Sequence, residues 1–485
     1  MDRRTFLKTV SQAAAVAAAS RLVPGSAGQP SAAEALPSRA TLVAVGDCLI
    51  SRHVSGLRDP DFLALAELLR GADATWGNCE LVLADSRSVY PAQKSQDPHG
   101  IAPPWAADEL KWMGLDFVGA ANNHSMDFGP EGLFSTLANL ERVGIPSAGA
   151  GANLEEASRF GLFDSPVGRI AQVNCASTFP PYFAASQTHP YLKGRPGLNP
   201  LRLDVQIQLP EKTYEALKSA NGTIYDLLGW NEFGDLGKEL EAKLPKGTIY
   251  FYETTVGTGS SVDVISTPNA EDVKRIAEAI KMARNNARFV IASIHAHEAR
   301  HKLEIADPFL PVFARACIDA GADAFFATGP HVPRGIEIYK GKPVFYSLGN
   351  FFFQYETIQP VPPEAFAGMG LDSRSLDPSL FYRKISYGSE ERFWHSFVPR
   401  LTFDGEAVTG VELFPITLGF ADPAHGRGTP RLARGAEART ILEKVAALSK
   451  PYGTAIEIDG EVGHISIPRI PVPPQPPQAK PEKTG

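Results

Sequence analysis

The chain reads as an α/β protein, and three observations predict it. From Thr41 onward, apolar runs of strand length alternate with runs of helical periodicity, the pattern of layered α/β architecture. Five of the apolar runs hand over to a loop on a carboxylate or an imidazole: LVAVGD on Asp47, TWGNCE on Glu80, GLDFVGAANNH on Asn122-Asn123-His124, FVIASIH on His295 and AFFATGPH on His331. Strand ends of this kind are where α/β proteins place metal ligands and catalytic groups. Finally, 485 residues with 44% hydrophobic and 21% charged content make a globular chain of one large or two ordinary domains.

The elements follow in order. Leu42–Val45 predicts a strand, the stretch near Asp61–Arg70 a helix, and Ala74–Gly77 a strand. A helix near Pro104–Met113 precedes the strand Asp116–Ala121, and Pro130–Val143 is helical with Gly144 as its stop. The GAGAN run at Gly149–Asn153 lacks the Lys-Ser/Thr of a nucleotide loop, so it reads as a turn entering the helix of LEEA. RIAQVNCAS is a buried strand. Phe179 to Thr267 loses regularity and reads as a loop-rich insertion (about 179–267) that overhangs the site and selects substrate. Asp272–Arg284 is helical, Phe289–Ile294 a strand, Asp307–Ala320 a helix and Ala324–Thr328 a strand. Ile336–Tyr339 and Val344–Leu348 form a hairpin over Lys340-Gly341-Lys342. Beyond a Pro-rich excursion from Gln354 to Tyr382 come a hairpin turning at Asp404-Gly405, a helix Glu437–Leu448 and a second Asp-Gly hairpin. The parts are therefore a segment 1–35, a principal domain 40–355, a C-terminal hairpin and helix extension 356–467 packed on the core, and a Pro-rich tail 468–485.

Arg3-Arg4-Thr5-Phe6-Leu7-Lys8 followed by an Ala-rich stretch reads as a twin-arginine export signal, with cleavage after Ala27 or after Ala35 and a periplasmic or other extracytoplasmic destination. A formal charge of −7 gives no basic footprint, which argues against a nucleic-acid partner. No apolar run reaches the roughly 18–20 residues of a membrane span. Cys48, Cys79, Cys175 and Cys317 lie in or beside apolar runs without paired spacing, so buried free thiols are expected rather than disulfides.

The order Asp, acidic residue, Asn-His, His, His resembles the calcineurin-like metallophosphoesterases. VGDCLISR, NCE, ANNHSMDFGPEGL, GIPSAGAGANLEEA and GPHVPRGIEIYKGKPVFYSLGNFFF are similar to its CapA branch, named for capsular poly-γ-glutamate synthesis, over roughly Thr41 to Phe353. The resemblance implies a four-layer α/β/β/α sandwich and one or two divalent ions, with Mn, Zn or Fe expected. Two-metal phosphoester hydrolysis needs a bridging carboxylate and a water held between the ions. Glu80 is the candidate bridge; Asp47 and His331 would hold one ion, Asn123 and His295 the other. His124 would protonate the leaving oxygen or stabilise its charge.

Two positions depart from the pattern. Leu49 stands where Asp-x-His would put a histidine, and Gly329 where Gly-His-x-His would put another; His297, His301 or His53 could substitute. Glu298 falls where the family often carries an acidic residue. Arg52 would grip a phosphate or carboxylate, or brace Glu80. Asn78, Asp127 and Asn350 are further candidates that line the site or hold its loops. The expected function is metal-dependent, phosphoesterase-like hydrolysis or transfer on an anionic cell-surface polymer. The alternative is a non-catalytic, metal- or polymer-binding component of a polymer-synthesis complex.

Overall fold

The computed structural model describes residues 36–467 apart from 94–97, 230–243, 245, 252–253, 376, 383, 385 and 424. The twin-arginine segment, both cleavage sites and the tail 468–485 lie outside the described residues. The first half runs β1 (Arg39–Leu49), α1 (Pro60–Arg70), β2 (Ala74–Asn78), α2 (Ala106–Met113), β3 (Phe117–Gly119), α3 (Gly129–Arg142) and β4 (Ser147–Ala148). It continues with β5 (Gly161–Ser165), β6 (Gly168–Ala176), β7 (Leu203–Leu209), α4 (Glu211–Leu227), β8 (Thr248–Phe251), β9 (Thr254–Thr258) and β10 (Asp263–Pro268). The second half comprises α5 (Ala270–Arg284), β11 (Phe289–His295), α6 (Phe309–Asp319), β12 (Ala324–Thr328), β13 (Ile336–Tyr339), β14 (Lys342–Phe345) and β15 (Asn350–Phe353). Last come β16 (His395–Asp404), β17 (Ala407–Thr417), α7 (Gly435–Ser449), β18 (Glu457–Asp459) and β19 (Val462–Ser466).

Local chemistry sets the element ends. Asp59 caps α1 by accepting from the Phe62 N–H at 2.8 Å, with Pro60 at the first helical position. Asn269 caps α5 in the same way, and Asn153 caps the short helix Leu154–Ala157, as the turn reading of GAGAN required.

Two large sheets carry the fold. One has the order β18-β19-β17-β16-β1-β2-β3-β4, with β15 also paired to β1; the other has the order β13-β14-β12-β11-β6-β5. Strands β1 to β4 and β15 are mutually parallel, as are β6, β11, β12 and β14. Alternation along each strand divides its side chains between two cores. From β1, Leu42 and Ala44 join Trp76, Phe117, Phe289, Ile291, Phe326 and Phe345, a cluster shared by both sheets. Trp76 stacks on Phe326 with ring centroids 5.3 Å apart, and its indole N–H donates to Gln172 at 3.0 Å. Val43 and Val45 instead face α1 and α2, while Val290, Ala292 and Ile294 face α5 and α6. Central strands buried on both faces explain their unbroken apolar runs.

Two regions differ from expectation. The insertion carries a four-stranded sheet, β8-β9-β7-β10, with α4 packed on it through Tyr214, Ile249 and Val256. Its strand residues are mostly half-buried or exposed, so the sequence there lacks the apolar signature of the central strands. Residues 356–467 do more than pack on the core: β16 pairs antiparallel with β1, so the C-terminal strands prolong the sheet that carries Asp47. The strand expected over Asp116–Ala121 is confined to Phe117–Gly119. All four cysteines are free and buried.

Candidate metal centre

Parallel pairing brings the polar strand ends together. Asp47 is in register with Asn78 on β2 and with Asn350 on β15, and Asn78 with Gly119 on β3. In the second sheet His295 is in register with Thr328. The backbones crowd at this point. A Cβ on Gly46 would lie 1.9 Å from the Gly349 carbonyl oxygen, so the glycine is required where Asp47 N–H donates to that oxygen at 3.0 Å.

Asp47, Glu80 and His295 are fully buried, and one ligand atom from each lies within 4.8 Å of the others. Glu80, His297 and His331 form a second group of the same kind, so Glu80 is shared. His295 Nε2 is 3.5 Å from Glu80 Oε1, and His331 Nε2 is 4.0 Å from the same oxygen. Both His295 and His331 approach Asp47, with His295 Nδ1 3.7 Å from its Oδ1, and His297 accompanies His331. His331 Nδ1 is 3.6 Å from Asp47 Oδ2. Asn123 lines the cavity at the mouth of the centre.

The surrounding residues orient these ligands. Asn78 donates through Nδ2 to Asp47 Oδ1 at 2.8 Å, and the Gly329 N–H donates to Asp47 Oδ2 at 3.1 Å. Asn350 spends its amide hydrogens on the carbonyls of His331 and Phe393, so its Oδ1 faces His331 Nδ1 at 2.8 Å. The proton therefore sits on Nδ1, and Nε2 of His331 keeps the lone pair a metal needs. His331 holds φ at 59°, in the left-handed region that non-glycine residues enter at a cost of order 1–3 kcal/mol.

Burial pushes the Asp47 carboxyl above its ordinary range despite nearby His331, and pushes His295 well below the usual imidazole range. Burial also lowers His331. Neutral imidazoles around buried carboxylates are the donor set of a borderline divalent cation, which would offset the desolvation of both Asp47 and Glu80.

Among the three histidines considered as substitutes, only His297 reaches the centre. Its Nε2 is 2.9 Å from His295 Nε2, and a Cβ on Gly329 would lie 2.7 Å from its Cδ2. His53 instead bonds Glu109 at 2.7 Å and stacks on Trp105, while His301 is exposed. Glu298 holds the His297 loop: it accepts from Ser177 and Thr178, and the Thr178 hydroxyl accepts from the His297 N–H. Leu49 lines the cavity without contributing a donor.

On the rim, His124 Nδ1 is 2.6 Å from Asp127 Oδ2, which also accepts from the Gly100 N–H at 2.6 Å. Arg52 is placed elsewhere. Its guanidinium donates to Thr357 Oγ1 at 2.8 Å and to the Arg427 carbonyl, and Arg52 is not among the residues lining the cavity.

Sequence reasoning missed three things. Buried His99 lines the cavity beside His124, but its neighbours in sequence carry no apolar run ending on it. Buried Arg334 donates to the carbonyls of His297, Glu298 and Leu303, and burial lowers its pKa to about 10. Tyr355 and Tyr382 of the Pro-rich excursion form an aromatic wall with Phe353 of β15 and Tyr387, and of the insertion only Phe179, Pro180 and Tyr182 reach the cavity among the described residues.

A family model described as bacterial capsule synthesis protein PGA_cap matches residues 41–355. An uncharacterized protein of Sinorhizobium fredii is 33% identical over 88% of this chain and 93% of its own length. The capsule biosynthesis protein CapA of Bacillus anthracis is 23% identical over 64% of this chain and 59% of its own. A probable polyglutamine synthesis accessory protein of Mycobacterium tuberculosis is 27% identical over 49% of this chain and 45% of its own. No helix among the described residues is long and apolar enough to cross a membrane.

Proposed function

The chain belongs to the PGA_cap family of bacterial capsule synthesis proteins, and from that premise we propose that it is an exported, metal-dependent, phosphoesterase-like hydrolase of cell-envelope polymer metabolism. The observation that carries the reading is the pair of donor groups sharing Glu80 at the strand ends. The core shared by the two sheets, with helices on their outer faces, supports the finer reading of a four-layer α/β/β/α metallophosphoesterase-like fold.

Asp47, Glu80, His295, His297 and His331, with Asn123 at the mouth, would hold one or two divalent ions (Mn, Zn or Fe), which supply Lewis acidity and an activated water when bound. The protein's own part is positioning and proton transfer. Asp127, an acceptor when ionised, keeps the His124 proton on Nδ1 and the ring fixed toward the cavity. When both ring nitrogens carry a proton, Nε2 of His124 would pass its own to the leaving oxygen, and Asp127 would keep the other on Nδ1. Asp127 is a positioning residue, and Arg52 a tie between the loops at Thr357 and Arg427.

Envelope polymers of the poly-γ-glutamate type are the proposed context, reached through the twin-arginine signal at Arg3-Arg4. The rival reading, a non-catalytic metal- or polymer-binding component of a synthesis complex, is favoured by Leu49, which leaves one expected imidazole unreplaced. Metal analysis of the purified protein, with a screen of phosphomonoesters and phosphodiesters, decides between them. Metal-dependent turnover that His124→Ala removes supports the enzyme; bound metal without any such turnover leaves the binder. Replacing Arg3 and Arg4 by lysine should hold the precursor in the cytoplasm, and unchanged export would refute that route.

A further inference from the structure

The chain leaves β11 after His295 and has no regular structure at 296–298. It then doubles back as a short antiparallel ribbon, Ala299–Arg300 against Lys302–Ala306. His297 therefore sits on a loop whose peptide groups need partners from elsewhere. Two side chains supply them. The His297 N–H donates to Thr178 Oγ1 at 2.8 Å, and Glu298 accepts from the Thr178 hydroxyl at 3.0 Å. The carbonyl side is held by Arg334. Its Nη2 donates to the His297 and Glu298 carbonyls at 3.1 and 2.9 Å, and its Nε to the Leu303 carbonyl at 2.7 Å. One guanidinium thus joins both arms of the loop.

Arg334 itself belongs to the other ligand loop. It stands three residues after His331, and its own N–H donates to the Ser347 carbonyl at 3.2 Å. The side chain therefore sets the loop of His297 against the loop of His331, whose rings lie 5.8 Å apart. For stability alone Arg334 is a poor choice. It is 1% exposed, its Nη1 has no hydrogen-bond partner, and it makes no ion pair among the described residues. Burial lowers its pKa only to about 10, so the charge is kept at neutral pH. A desolvated cation without a paired carboxylate is costly, and what a planar guanidinium supplies in exchange is fixed geometry.

We propose that Arg334 is a positioning residue of the metal centre, which fixes the His297 ring at its distance from Glu80 and His331. The inference rests on the metal reading and names the residue on which the imidazole of His297 depends.

The test is Co²⁺ binding to the metal-free full chain, read by competition with a chelator and by the d–d absorption of bound Co²⁺. Arg334→Met should weaken binding about 10- to 100-fold, and no more than His297→Ala does. Arg334→Lys keeps the charge and can still reach one carbonyl, so it should lose less and carries the test if Arg334→Met does not fold. In both variants the d–d band should move toward that of His297→Ala. In the His297→Ala background either Arg334 variant should cost under about threefold, because the ring it places is gone. Arg284 controls for a purely structural role: it bonds Asp323 and the carbonyls of Ala287 and Arg288 at the opposite end of β11. Arg284→Met should lower the thermal midpoint without changing Co²⁺ affinity. Additive losses in the double variants, or Co²⁺ affinity unchanged by substitution of Arg334, would overturn the proposal. A wild type that takes up no Co²⁺ would refute the metal reading alone. The nitrogen-15 ring resonances of His297 in the metal-free chain then decide. They should shift or broaden in Arg334→Lys while those of His124 stay, and an unmoved His297 would overturn the positioning role.

Discussion

The His297 ring occupies the space that a side chain on residue 329 would need: a Cβ on Gly329 would stand 2.7 Å from His297 Cδ2. His297 lies two residues beyond β11, with a ligand atom within 4.8 Å of one on Glu80 and one on His331.

His297→Ala should therefore lower metal affinity by at least about 10- to 100-fold, the range already seen when ligand-supporting residues are lost. Gly329→Ala should act in the same direction, because its methyl group displaces the ring and because φ at 329 is 118°. In the His297→Ala background, Gly329→Ala should cost less than in wild type. A double-mutant cycle on metal affinity measures this coupling, and strict additivity would show that the two sites are independent.

His124→Ala should reduce turnover by roughly 10²–10⁴-fold while metal content, read by elemental analysis, stays close to wild type. Asp127→Asn should give a smaller loss of the same kind, in kcat rather than KM, because it frees the tautomer without removing the ring. Loss of metal in either variant would move His124 into the ligand set.

Asp272 tests the scaffold. Burial opposes its ionisation, but hydrogen bonds from Arg202 and Arg275 outweigh burial and lower its pKa. A carboxylate with a depressed folded pKa contributes stability above its unfolded value near 4, and that stability is lost as pH falls through the folded value. Asp272→Asn should cost about 1–3 kcal/mol at neutral pH and progressively less below pH 4. Chemical denaturation at pH 7 and at pH 3 would show the difference shrinking; a constant difference would contradict the assignment.

Arg52→Ala should leave metal content unchanged and lower thermal stability, since the guanidinium ties Thr357 to the Arg427 carbonyl. A variant that keeps its melting temperature but loses phosphate affinity would return Arg52 to the site.

The sequence by itself determined the central strands and most helices, though not the strands of the insertion, and it singled out Asp47, Glu80, Asn123, His124, His295 and His331 as candidates for one site. Continuous apolar runs mark strands buried on both faces, and a polar residue at the end of such a run is a candidate ligand or catalyst, or a hydrogen-bonded structural group. It also offered three histidines as replacements for the missing imidazoles. Only the tertiary structure chose His297, because the choice depends on the gap at Gly329 and that gap is set by two strand ends 32 residues apart. The same is true of Arg52, whose partners lie more than 300 residues away, and of Tyr355 and Tyr382, whose Pro-rich segment has no periodicity to read. Periodicity is a property of neighbours along the chain. Which distant side chains share one cavity is decided by packing, and packing leaves no periodic mark.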